Sequence, residues 1–175
     1  VRRVAVFKTM PVLRFPVAVV MDCVPIASRW ASERWQPSAV IPVGEADAPA
    51  EPRSPQRLPE ASTAARWRFD GFWIELHRSE GEGYWLNLTS PAPKAFVMWR
   101  PAEDADEPAM RPYGVTVSYN EAARVLDAGE QVEGVPLAPE LLAWMKPFVD
   151  QNYTPAPRKK IRRNDPFAND REGRR

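Results

Sequence analysis

The sequence predicts an α+β fold, an antiparallel β-sheet of about five strands covered by a short Trp-bearing segment and two C-terminal helices. Three observations lead there. The centre of the chain alternates large apolar and polar residues with the period of two that marks half-buried strands. Two later segments open with helix start signals and continue with apolar residues three and four apart. Seven tryptophans accompany a single histidine and a single cysteine, so the chain is rich in packing and contact surface.

The elements follow in order. Val17 to Met21, after Pro16, is an apolar β-branched run and reads as a buried strand. Val24 to Trp35 opens with Pro25 and spaces Ile26 and Trp30 four apart, which predicts one or two helical turns carrying Trp30 and Trp35. Ser38 to Val43 reads as a second strand. Arg66 to Arg78 places Phe72, Ile74 and Leu76 on one face and Trp73, Glu75 and His77 on the other. Ser79 to Gly83 is a Gly-bearing turn, Tyr84 to Thr89 resumes the alternation as a hairpin, and Lys94 to Arg100 completes a three-stranded meander. Apolar groups on both faces of that meander require covers, which the helices can supply. Gly114 to Val117 adds a short strand. Ser118 and Glu121 then fit a capping box for a helix that runs to Asp127 and stops near Gly129. Pro139 opens the last helix, in which Leu141, Trp144, Met145, Phe148 and Val149 form one stripe and Pro147 can kink or end it.

Length and composition divide the chain. Residues 11–153 are expected to form one domain, with residues 44–65 as a disordered Pro-rich insertion and residues 101–112 as an acidic loop. Residues 1–10 are an N-terminal tail and 154–175 a basic disordered tail. From Arg158 to Arg175 there are eight Lys or Arg against three Asp or Glu, a net of +5, so the remaining chain carries −4 of the total of +1. One cysteine cannot form an intramolecular disulfide or a cysteine cluster for a metal. The N-terminal apolar run is interrupted by Arg14 and Pro16, and no stretch has the ~18 uncharged apolar residues of a spanning helix, so a cytoplasmic location is expected.

Composition favours recognition over catalysis, because most protein chemistry at neutral pH recruits His or Cys. His77 lies in Glu75-x-His77-x-x-Glu80, whose structural reading is a solvent-facing or cross-strand pair; a catalytic zinc site commonly takes three protein ligands. Cys23 reads as a small buried residue, and no metal site, cofactor or catalytic residue is nominated. Asn87-Leu88-Thr89 matches the glycosylation sequon by chance, in a strand. Trp30 and Trp35 with Arg29 and Arg34 are candidate partner contacts, since Trp and Arg dominate hot spots, while packing against the sheet is the alternative. The face of Trp73 and Trp99 has the same two readings. Arg158, Lys159, Lys160, Arg162 and Arg163 are candidate docking residues for an acidic protein partner.

Several separated segments also resemble a known family. They are Phe15 to Met21, Trp30-Ala31-Ser32-Glu33-Arg34-Trp35, Glu75 to Glu80 leading to Tyr84 to Thr89, Val115 to Ser118, Gly134 to Pro139 and the Lys-Arg cluster of the tail. In that order they resemble the proteobacterial domain of unknown function 3305 family, typically encoded near molybdenum-dependent formate dehydrogenase genes. What the resemblance implies is a noncatalytic accessory or assembly factor for such an enzyme, with a formate dehydrogenase subunit or maturation factor as protein partner. Two alternatives stay open: a nucleic-acid-binding regulator using the basic tail, and a molybdopterin-nucleotide processing protein. Against the second, the chain has no G-x-G-x-x-G or G-x-x-x-x-G-K-[ST] loop for phosphate.

Overall fold

The apolar run after Pro16 extends in both directions into a long strand, β1 (Leu13–Pro25), buried without a break from Pro16 to Cys23. The computed structural model describes residues 13–27, 29, 31–49, 53–59, 64–103 and 108–155. β1 is central because it is paired on both sides. β2 (Glu33–Pro42) lies antiparallel on one side and β4 (Ala65–Leu76) antiparallel on the other, and β3 (Gln56–Leu58) adds to the far edge of β4. The sheet order is β2-β1-β4-β3.

A 3-10 turn (Arg78–Glu80) and helix α1 (Gly81–Leu88) separate this sheet from a second one. β5 (Lys94–Pro101) is the centre of that sheet, flanked antiparallel by β6 (Met110–Thr116) and β7 (Gln131–Pro136). Helix α2 (Tyr119–Asp127) connects β6 to β7, and α3 (Pro139–Asn152) closes the described chain. One buried cluster joins Val17, Val19 and Met21 of β1 to Val97 and Trp99 of β5, Val135 of β7 and Leu141, Met145 and Phe148 of α3. The fold class is α+β as the sequence predicts, with two antiparallel sheets of four and three strands in place of one of about five.

Three elements differ from the sequence reading. Glu33 to Trp35 is strand and not helix: Ile26 N donates to Ser32 O at 3.0 Å, which turns the chain back so that Trp35 pairs with Cys23. That ladder outweighs the four-residue spacing of Ile26 and Trp30. Tyr84 to Thr89 is not a hairpin strand. Tyr84, Asn87 and Leu88 turn inward while Glu82, Leu86 and Thr89 stay exposed, which is the spacing of a helix. Gln56 to Leu58, inside the segment read as an insertion, pairs with Arg66 to Arg68. The acidic loop is also shorter than residues 101–112, because Ala102 N donates to Ala109 O at 2.8 Å and β6 begins at Met110.

The helix ends follow their sequence signals. Ser118 Oγ accepts from Glu121 N at 3.1 Å. The Glu121 carboxylate accepts from Thr116 Oγ1, which in turn accepts from Ser118 N, so the cap runs through a relay. Gly129 takes the left-handed conformation, φ 81°, and the Gly129 and Glu130 amides reach Leu126 O and Val125 O. α3 continues past Pro147 to Asn152.

Candidate functional site

Trp35 is the nominated partner-contact residue with the most complete surroundings. On the face that β1 shares with the core, one row of residues runs Trp35, Cys23, Ala65, and the next places Trp67 opposite Met21 and Arg57 opposite Trp67. Pro108 and Ala109, just before β6, close the other side of a cleft of about 180 Å³. Both indoles pack partly against the core and leave an edge on the cleft.

The cleft has one polar junction. Glu33 Oε1 accepts from Trp35 Nε1 at 3.0 Å and Oε2 accepts from the Cys23 thiol at 3.2 Å. Those bonds, the indole's first, hold the Glu33 carboxyl below its ordinary range. Burial, followed by the neighbouring Glu33 carboxylate, pushes the Cys23 thiol up to about 11. Cys23 is therefore a protonated donor at neutral pH and lacks the thiolate character of a nucleophile.

The other nominated residues do not gather around Trp35. Arg29 and Arg34 are exposed, but Arg34 pairs with Val24 and so projects from the face opposite Trp35. Trp30, Arg158, Lys159, Lys160, Arg162 and Arg163 lie outside the described residues. Trp73 and Trp99 also part company. Trp99 joins the core cluster, whereas Trp73 carries the Arg14 guanidinium 4.4 Å over its ring.

His77 is buried, with 3% of its surface accessible, and does not face solvent. Its Nε2 lies 3.4 Å from Glu75 Oε2, two residues earlier near the end of β4. Glu80 turns away, accepting from Ser118 Oγ at 2.8 Å and from Arg124 at 2.6 Å. The Glu75, His77 and Glu80 side chains thus do not converge on one point. Among the described residues no group of three or more His, Cys, Asp or Glu is placed to hold a metal ion.

Sequence reasoning missed Tyr84 and Asn87 as organisers of this region. The Tyr84 hydroxyl accepts from His77 N at 3.0 Å and donates to Glu75 O at 3.3 Å, and burial drives its ionisation far above the ordinary phenol range. It also missed Arg57 and Trp67 as cleft walls. The alternation of Trp67 with Phe69 was the available signal. Among the described residues no helix is long and apolar enough to cross a membrane.

A family model described as a protein of unknown function (DUF3305) matches residues 16–162, and the chain belongs to that family. No curated protein and no solved structure matches the chain.

Proposed function

We propose that this member of the DUF3305 family is a noncatalytic accessory or assembly factor for a molybdenum-dependent formate dehydrogenase system, and that it works by protein–protein contact through the cleft at Trp35. The observation that carries the contact is the pair of indoles, Trp35 and Trp67, standing half-exposed on either side of Cys23 with Arg57 beside them. Two Trp edges and an Arg on one concave surface are the residue types that dominate binding hot spots. The titratable groups of the cleft and of the strands behind it support recognition over chemistry. The thiol is held protonated, Asp22 is bound by Arg66 at 2.8 Å, and Asp70 by Arg68 at 2.8 Å. The formate dehydrogenase partner comes from the gene neighbourhood that the family resemblance implies.

The test is a pull-down from native cells with the intact chain, Trp35→Ala, Arg57→Ala and a chain ending at Pro157, scored by mass spectrometry for formate dehydrogenase subunits. The expected result is recovery with the intact and shortened chains and loss of about thirtyfold or more with Trp35→Ala, the size of a hot-spot truncation. Circular dichroism melts confirm that each variant is folded. Loss on shortening alone would move the interface to the basic tail, and failure to recover a subunit with any chain would end the reading.

A further inference from the structure

The pairing of β5 with β6 sets Arg100 directly opposite Arg111. Residues directly opposite on adjacent strands share a face, and like charges there repel. Among the described residues little offsets that repulsion. Arg100 meets Glu103 at 3.1 Å, but the two side chains are 56% and 82% exposed, so the pair is solvated and weak. The Arg100 guanidinium also sits 5.3 Å over the Tyr113 ring. The Arg111 side chain makes no hydrogen bond or ion pair among the described residues, and its Nε is buried without a partner. A buried donor left unsatisfied on a cation costs stability, unless something else supplies the acceptor.

The space for that acceptor is present. A pocket of about 300 Å³ opens between Arg100, Ala102, Glu103, Arg111 and Tyr113, so two guanidinium groups line it against one solvated carboxylate. Guanidinium forks match the paired oxygens of an oxyanion. Tyr113 is shared with a second groove, of about 460 Å³, walled by Phe72, Trp73, Met98 and Glu121. Its floor is backbone at Gly71 and Gly114. Both glycines lie where a strand register slips, Gly71 with φ 91°, and a Cβ on Gly114 would come within 2.8 Å of Met98 Cε. Such bulges commonly re-aim side chains beside binding sites. The cationic pocket and the groove walled by Phe72, Trp73 and Met98 therefore adjoin through one side chain.

We propose that Arg100 and Arg111 form a carboxylate-binding subsite, and that it docks an extended peptide segment bearing an Asp or Glu next to a large apolar residue, which enters the groove at Trp73. The two arginines complement the acidic side chain and Tyr113 separates it from the apolar one. This surface is separate from the cleft at Trp35 and does not depend on the formate dehydrogenase reading.

The test is fluorescence anisotropy at low ionic strength on the full chain, with a labelled, end-blocked peptide of sequence Glu-Leu-Asp-Phe-Glu. Its amide counterpart, Gln-Leu-Asn-Phe-Gln, and inorganic phosphate serve as comparison ligands. The acidic peptide is expected to bind, with at least a tenfold loss in Arg100→Gln, in Arg111→Gln and for the amide counterpart. Arg111→Lys should fall between, because an ammonium keeps the charge but loses the fork. Removing one of two opposed cations should leave the Tm of Arg111→Gln unchanged or raised. Equal affinity for the amide peptide, or unchanged binding by Arg111→Gln, would overturn the proposal. Phosphate binding without peptide binding would make this a free oxyanion site and overturn the docking role. A lowered Tm in Arg111→Gln with unchanged peptide affinity in Arg100→Gln would make the arginine a packing residue and do the same.

Discussion

Asn87 holds Lys94 by both of its backbone polar groups: Oδ1 accepts from Lys94 N at 2.9 Å and Nδ2 donates to Lys94 O at 2.7 Å. The same Nδ2 donates to Val117 O at 2.8 Å. One fully buried amide thus ties the end of α1 to the start of β5 and to the residue before the α2 cap. Asn87→Ala leaves three backbone groups without their partner in a dry site, and each unsatisfied group costs about 1–3 kcal/mol. A loss of roughly 3 kcal/mol in urea denaturation is expected after partial relaxation. A variant as stable as the parent would show that water replaces the amide. The burial also separates Asn87-Leu88-Thr89 from any surface acceptor role for glycosylation.

Gly83 sits where α1 meets the N-terminus of α2. A Cβ there would collide with Ser118 Oγ and lie 3.1 Å from Asn120 N, and neither atom can withdraw. Ser118 is bonded to Glu80 and caps Glu121. Gly83→Ala should therefore destabilise by about 1–3 kcal/mol as an overpacking change, despite alanine's better helix propensity. Gly129→Ala offers the contrast, with no atom within 4 Å of the new Cβ and only the φ of 81° to oppose it. Thermal melts of the two variants separate a steric cost, which Ser118→Gly partly relieves in the first, from a conformational one that it does not.

The elements that were legible in the sequence are those whose signals are local. Ser118 and Glu121 announced α2 and Pro139 announced α3, because capping chemistry acts within one turn. Phe72, Ile74 and Leu76 announced β4 by alternation. The misread elements depend on distant partners. Trp35 is strand because Cys23 pairs with it across a turn, and nothing in the spacing of Trp30 and Trp35 encodes that ladder. α1 was hidden because Tyr84, Leu86 and Leu88 alternate as a strand would, whereas the buried positions are set by Tyr84 reaching Glu75 O and Asn87 reaching Val117 O. The candidate sites show the same division. Trp35 was nominated by residue type, but Trp67 joined it only through the β1–β4 register and Arg57 through the β3–β4 register. Arg100 and Arg111 lie on either side of the acidic run Glu103 to Glu107, a hint that a hairpin would set them opposite each other.

Asp22, buried in β1, accepts from Arg66 Nε at 2.8 Å and Nη2 at 3.0 Å and from Ser38 Oγ at 3.2 Å. The Arg66 bonds hold its carboxyl below the ordinary 3.8, against the opposing effect of burial. A depressed native pKa stabilises the fold above the unfolded value, and that contribution is lost as pH falls through the native one. Asp22→Asn is expected to melt several degrees below the parent at pH 7, with the gap closing as the pH drops below 3.8 and through the lower native value. A gap that stays constant with pH would mean that packing, and not the ion pair, is what the substitution disturbs. Added salt should narrow the gap only in part, since Asp22 is shielded while Arg66 is 41% exposed.

Cys23 titrates in the opposite direction, and its two causes can be separated. Burial is the larger and the Glu33 carboxylate the smaller of the effects that move the thiol from 9.0 to about 11. At pH 8 a shift of this size leaves about a hundredfold less thiolate than an unperturbed thiol has. Iodoacetamide alkylation, followed by intact mass, should be slow at pH 8 and keep accelerating with an inflection at about 11. Glu33→Gln removes the negative charge but not the burial, so its inflection should fall while staying above 9.0. If the variant and parent inflections coincide, Glu33 does not face the thiol, and the polar junction of the cleft is lost with it. The same shift has a stability consequence of definite sign. A native thiol pKa raised above the unfolded one stabilises the fold below pH 9.0, and that contribution disappears as pH rises through about 11. Cys23→Ala lacks it, so the difference in Tm between parent and variant should shrink across that window.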